Sequence, residues 1–316
     1  MNANSHRAII AALLANTGIA LAKLFAFAMT GSSSMLAESI HSFADTSNQA
    51  LLLWGSKASR QKPTPLHPFG YGRERYFWSF VVALILFSLG SVFAIYEGVH
   101  KLLEPGEIKS PMWAVGVLIC GLLLEGWSFR TAVMEAQHAK KTASWWQFIR
   151  KSRSPELPVI ILEDFGALVG LLLALIGVVA SLLTNNTIFD SIATLAIGLL
   201  LGIIAVVLAV EMKSLLIGES AAPSFNQTIG LTLEQHETVR RVIHYKTLHI
   251  GPDELLIAAK VEFDPSLELP QIANSINAIE QKLRELSGHH LWIFLEPDIY
   301  RPPTPTQEAE PSSAVP

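Results

Sequence analysis

Cysteine is almost missing from this chain: Cys120 stands alone among 316 residues. That excludes an internal disulfide framework and any cysteine-rich zinc module. Charge is scarce too. Asp, Glu, Lys and Arg make up 16% of the sequence, whereas a soluble globular domain carries about 25%. An excess of one sign is also lacking. The 23 Lys and Arg stand against 27 Asp and Glu, a net charge of −4, which leaves no basic surplus for a nucleic-acid binder. The H-E-x-x-H pattern expected of an intramembrane zinc enzyme does not occur, so an enzyme is not expected. What is plentiful is apolar. Half of the residues (50%) are hydrophobic and the mean hydropathy is +0.38. This is too apolar for a disordered chain and argues against a wholly soluble one. The length admits about two domains.

A membrane-spanning helix needs about 20 mostly apolar residues. Six segments qualify: Ala8–Met29, Met35–Trp54, Phe77–His100, Met112–Val133, Leu157–Leu183 and Ile188–Met212. The first is not read as a signal peptide, because no small-residue cleavage site accompanies it and further spans follow. Basic residues orient the bundle. Lys57, Arg60, Lys62, Arg73 and Arg75 lie between spans two and three, and Lys140, Lys141, Arg150, Lys151 and Arg153 between spans four and five. The turns Gly31–Ser34 and Thr184–Thr187 have none, and Lys101 and Lys109 are offset by Glu104 and Glu107. Both basic loops, and therefore both termini, are expected in the cytoplasm. The short loops and lack of a targeting peptide suggest a bacterial inner membrane.

The character changes after Gly218, where a soluble stretch begins. Glu254–Phe263 (ELLIAAKVEF) and His290–Leu295 (HLWIFL) read as strands. Leu269–Leu286 carries Ile272, Ile276, Ile279 and Leu283 at helical spacing, and Gly251-Pro252-Asp253 is a turn signal. With an earlier helix expected around Thr232–Ile243, the order is αββαβ. The boundaries are then a six-helix membrane domain over residues 1–218, an α+β domain over 219–300, and a Pro-, Ser-, Thr- and Glu-rich tail over 301–316 that is expected to be disordered.

Ionisable side chains within spans are functional candidates by default, because hydrocarbon solvates them so poorly. In span two, His41 and Asp45 are four apart and share a helix face, with Glu38 near it. An imidazole and carboxylates aimed at one spot suit Zn²⁺ or another transition metal; an interhelical hydrogen-bonded pair is the structural alternative. Glu163 and Asp164 in span five are adjacent, so they point about 100° apart and only one can face such a spot squarely. Glu125, with Ser128 one turn later, reads either as a position lining a pathway or as an interhelical hydrogen bond. Asn16, Lys23 and Asp190 read mainly as helix-packing and helix-end features, with Lys23 free to snorkel or to pair with an acid. In the loop HPFGYGRE, His67 and Glu74 are candidates for a metal at the membrane surface; a basic loop facing the membrane is the plain alternative.

The stretches GSSSMLAESIHSFADTSNQ, HPFGYGRER, FDSIATLAIGLLLG and HIGPDELLIAAKVEF…LWIFLEPD together resemble the cation diffusion facilitators of the zinc-transporter type, over residues 8–300. The resemblance implies six spans, a cytoplasmic αββαβ domain like a metallochaperone, and a homodimer. It implies a transport site that joins two ligands on span two, here His41 and Asp45, to two on span five. Asp164 fits one of the span-five positions, but the other, four residues earlier, is Ile160, which has no donor atom. Glu163 is the nearest substitute, and the Glu-Asp pair resembles a branch of the family that carries it; Glu38, Glu125 or a water are the other ways to complete the shell. In the soluble domain His249, Asp253, Glu296, Asp298 and the pair His289-His290 are available for metal, at spacings that are not diagnostic. The implied activity is export of a divalent cation, Zn²⁺ first, driven by proton entry. The metal is the cargo and no cofactor is expected. Transport of Mn²⁺, Fe²⁺, Co²⁺ or Mg²⁺, or a metal sensor that has lost transport, are the alternatives.

Overall fold

A computed structural model describes residues 3–104, 111–140 and 144–302. Glu107, Lys109, Lys141 and the tail from residue 303 lie outside the described residues, as do the side chains of Asn16 and Lys151. The chain divides between Ile217 and Gly218 into two compact units.

The first unit is helical: α1 (Ala3–Thr30), α2 (Ser33–Ala58), α3 (Glu74–Ile85), a π-helical stretch (Leu86–Val92), α4 (Phe93–Leu103), α5 (Pro111–Lys140), α6 (Trp145–Lys151), α7 (Glu156–Thr184) and α8 (Ile188–Ile217). Among the described residues, four stretches are long and apolar enough to cross a membrane by composition: Glu74–Leu103, Met112–Gln137, Glu156–Thr184 and Ile188–Ile217. In α1 the apolar stretch within the described residues is Thr17–Thr30. The 26 residues of α2 give the length of a span, but its serines and ionisable residues lower its hydropathy. Those polar side chains are packed inside the bundle, where α2 meets α1, α3, α7 and α8. The outside is apolar instead: Phe25, Leu123, Trp127, Leu199 and Ile203 are all exposed. Apolar residues outside and polar groups inside suit a hydrocarbon solvent, and the chain is a multi-pass membrane protein.

Small residues set how closely the helices approach. A Cβ on Gly177 of α7 would sit 2.5 Å from the Ala193 Cβ of α8. In the π-helical stretch, Ser91 Oγ donates to the Gly198 carbonyl of α8 (2.7 Å). At one end of the bundle Asp190 fastens the start of α2 to α8. Its carboxylate accepts from Ser32 Oγ, Ser33 N and Ser33 Oγ, each at 2.9 Å. At the other end Arg75 pairs with Glu156, and Arg150 with Glu211 at 3.2 Å. Asp190 is thus the helix-end feature expected of it.

The second unit contains α9 (Pro223–Glu234), β1 (Val239–Gly251), β2 (Glu254–Phe263), α10 (Leu269–Leu286) and β3 (His290–Pro297), which is the expected αββαβ order. The first helix corrects the sequence reading, which put it around Thr232–Ile243. Pro223 opens it earlier, at a position where a missing N–H does no harm; of the expected segment only the first three residues are helical, and those from Val239 on belong to β1. Residues 239–251 pair with β2 across the Pro252-Asp253 turn, and this pairing overrides any helical pattern. The sheet order is β1-β2-β3, with β1 antiparallel and β3 parallel to β2. Ile229, Leu233, Leu255, Ile257, Ile279 and Leu283 form much of the core between the helices and the sheet. At the strand ends Lys260 reaches both Glu296 and Asp298, each at 3.0 Å. Hydrogen bonds to Asp298 first, then Glu296, hold the Lys260 ammonium above its usual range. The Lys260 hydrogen bond, followed by that of the Ile299 N–H, holds Asp298 below its own.

Two outcomes are expected. Gly177→Leu must force α7 and α8 apart, at a cost of about 1–3 kcal/mol, whereas Gly126→Ala, with nothing within 4 Å, leaves stability near that of the unsubstituted protein. Thermal unfolding of purified protein in detergent measures both. The second concerns pH. The lowered Asp298 contributes stability above the unfolded carboxylate pKa and loses it as pH falls through the folded value; the raised Lys260 contributes below the unfolded lysine pKa and loses it as pH rises through the folded one. Any stability difference between the protein and Lys260→Met is therefore constant between about pH 5 and 9 and shrinks below about pH 4 and above about pH 11.

Candidate metal site in the membrane domain

One face of α2 is built from residues three and four apart. Glu38, His41, Ser42, Asp45 and Asn48 recur at that spacing, and all of them are buried. His41 Nε2 lies 3.5 Å from Asp45 Oδ2. The carboxyl of Asp45 meets that of Glu163 on α7, and Asn48 Nδ2 donates to Glu163 Oε1 (2.6 Å). Asp164 turns away from this group and accepts from Ser128 Oγ of α5 (3.1 Å). The adjacent acids of α7 thus part company as helix geometry requires: Glu163 faces α2 and Asp164 faces α5. Glu125, one turn before Ser128 on α5, is buried within electrostatic reach of Glu38, Asp45, Glu163 and Asp164. Ile160 packs among apolar side chains instead.

Several donor atoms here make no hydrogen bond. Both ring nitrogens of His41, Asp45 Oδ1, Asn48 Oδ1, Glu38 Oε1 and Ser39 Oγ are buried without a hydrogen-bond partner. Each such group ordinarily costs about 1–3 kcal/mol. A buried imidazole beside a carboxylate, with further acids close by, suits a cation. The donors are nevertheless arranged in pairs. Among the described residues no three His, Cys, Asp or Glu side chains converge as a ready cage. His41 and Asp45 form one pair and Asp45 and Glu163 another, while Asp164 stands across at α5.

Two residues of this chamber carry more than the sequence reading assigned to them. Lys23 does not snorkel: it is 0% exposed, and its Nζ donates to Glu38 Oε2 (3.2 Å) and Ser42 Oγ (2.6 Å). Asn48 was not singled out at all, although its place three residues after Asp45 puts it on the same face.

The other candidates lie elsewhere. The exposed His67 ring lies against Tyr71, with centroids 4.7 Å apart, while Glu74 accepts from Trp78 Nε1 (2.8 Å). In the second unit, buried His249 meets the ring of exposed His289 edge-on at 5.6 Å. Asp253 is exposed in the turn and Glu296 is held by Lys260. His249 and Glu296 therefore have different partners.

Comparison with known proteins agrees with this architecture. A family profile, the cation efflux transmembrane domain, matches residues 9–217. The proton-coupled zinc antiporter SLC30A9, mitochondrial, of Xenopus laevis is 35% identical over 77% of this chain and 44% of its own length. Its human counterpart is 35% identical over 77% of this chain and 43% of its own. Metal tolerance protein C4 of Arabidopsis thaliana is 31% identical over 83% of this chain and 58% of its own length. The chain therefore spans less than half the length of the zinc antiporters it matches. The membrane unit with its polar α2 face, the αββαβ unit that follows and these matches together place the chain in the cation diffusion facilitator family.

Proposed function

We propose that this protein exports a divalent metal ion, Zn²⁺ first, from the cytoplasm in exchange for protons. The observation that carries the proposal is the buried His41–Asp45 pair of α2, in which neither imidazole nitrogen is hydrogen-bonded and Asp45 meets Glu163 of α7. The similarity to mitochondrial proton-coupled zinc antiporters supports the same reading.

Metal ligands must be deprotonated, so loading the metal releases protons and reloading protons expels it. His41, Asp45, Glu163 and Asp164 are the proposed ligands, with Glu38 and Glu125 as neighbours of the same chamber. The paired arrangement fits a carrier better than a store, since closure around the ion would draw Asp164 across to the α2 face in one conformation and release it in the other. With both basic loops in the cytoplasm, as in a bacterial inner membrane, the αββαβ unit also lies there. A homodimer tightened by metal at that unit would bias the equilibrium. A harder cation such as Mn²⁺, Fe²⁺, Co²⁺ or Mg²⁺ is the second reading, favoured by a donor set with one imidazole and otherwise oxygen.

The test is metal flux into proteoliposomes with an acidic lumen. Zn²⁺ uptake should depend on the pH gradient, and His41→Ala and Asp45→Ala should each reduce it at least about tenfold, as expected when a metal ligand is lost, without loss of monodispersity. Unchanged Zn²⁺ flux in both variants overturns the site. Flux of Mn²⁺ in preference to Zn²⁺ selects the second reading, and metal binding without flux makes the protein a sensor.

A further inference from the structure

The Lys23–Glu38 pair has no part in the scheme above. It also sits where a structural ion pair is hard to justify. Both side chains are 0% exposed, and taking two charges into such an interior usually loses more in hydration than the pair regains. The space for it is built. A Cβ on Gly170 of α7 would lie 2.5 Å from Glu38 Oε1, and one on Gly121 of α5 would lie 3.7 Å from Lys23 Cε. The ammonium is tied to α2 at two points one turn apart, Glu38 and Ser42, and Ser42 adjoins His41. Its charge reaches His41 and Asp45 as well as Glu38. Glu38 Oε1 has no hydrogen-bond partner, so without Lys23 this carboxylate would be one more anionic donor one turn from His41.

We propose that Lys23 is a tethered countercation that withholds Glu38 from the metal and sets the negative charge, and hence the affinity, that the chamber offers a divalent cargo. This rests on reading the chamber as a metal site. With Glu38 neutralised in place, the charge left for a divalent ion resides on Asp45, Glu163, Asp164 and Glu125. Lys23 is thus a positioning and specificity-determining residue that need not touch the metal. A surplus carboxylate would hold the ion too firmly for a carrier that has to release it.

The inference makes an opposite-sign forecast that a purely structural ion pair does not. Zn²⁺ dissociation constants are measured on the purified full chain by competition with a fluorescent chelator, with His41→Ala as the background that reports binding elsewhere. Lys23→Met uncovers Glu38 and should tighten binding by on the order of tenfold, while Glu38→Gln leaves an unbalanced ammonium and should weaken it by a similar factor. The double variant, with the charge balance restored, should return to within about threefold of the unsubstituted protein, as should Lys23→Arg. In flux assays Lys23→Met should lower KM and kcat together. Weakened or unchanged binding in a monodisperse Lys23→Met overturns the inference. If that variant does not fold, Glu38→Gln binding Zn²⁺ as tightly as the unsubstituted protein overturns it. A double variant as weak as Glu38→Gln alone would make Glu38 a ligand rather than a masked charge, and overturns it equally. Absence of chamber binding in the unsubstituted protein overturns the site reading itself, a result distinct from normal binding that Lys23 does not tune.

Discussion

A polar side chain in the hydrocarbon of a membrane has no water to turn to, so the protein must satisfy it. That constraint organises this molecule around α2. Glu38, His41, Ser42, Asp45 and Asn48 are all buried on one helix face, and each must look to a neighbouring helix. The neighbours answer at particular points: Lys23 from α1, and Glu163 from α7. The lipid-facing surfaces of the other spans are free to be apolar because the polar groups are drawn inward. The serine-rich start of α2 is likewise held, by the Asp190 carboxylate of α8.

Satisfaction is incomplete, and the shortfall has a place. Among the described residues, most of the buried side-chain atoms without a hydrogen bond gather at Glu38, Ser39, His41, Asp45 and Asn48. An interior selected for stability alone would pair these groups or replace them with apolar ones. Held apart in pairs, they suit a cation that arrives and leaves. Lys23 fits this picture, since its charge partly offsets the acids.

Much of this was legible in the sequence. The bounds of β2 and α10 were readable to the residue, because alternation and helical spacing are local signals. The divergence of Glu163 and Asp164 followed from 100° per residue. The helix expected around Thr232–Ile243 lies earlier in the chain, because the hairpin with β2, a contact between distant residues, takes the residues from Val239 on. Lys23 was readable as either snorkelling or paired, and nothing local could choose between them. Asn48 was within reach of the three-and-four rule but carries no charge to draw notice. His67 and Glu74, named together for the chemistry of their side chains, lie against Tyr71 and Trp78 respectively, since chemistry of the right kind does not bring side chains together by itself.

By itself the sequence determined that the chain enters a membrane, which helix carries the polar face, and that an αββαβ unit follows, because hydropathy and periodicity are properties of consecutive residues. Only the tertiary structure decided which acid of α7 meets α2, that Asp164 looks to Ser128, and that Lys23 is locked onto Glu38 between two glycines of other helices. The physical reason is that these choices depend on how helices rotate and how closely their backbones approach. Both are set by packing between segments far apart in the chain.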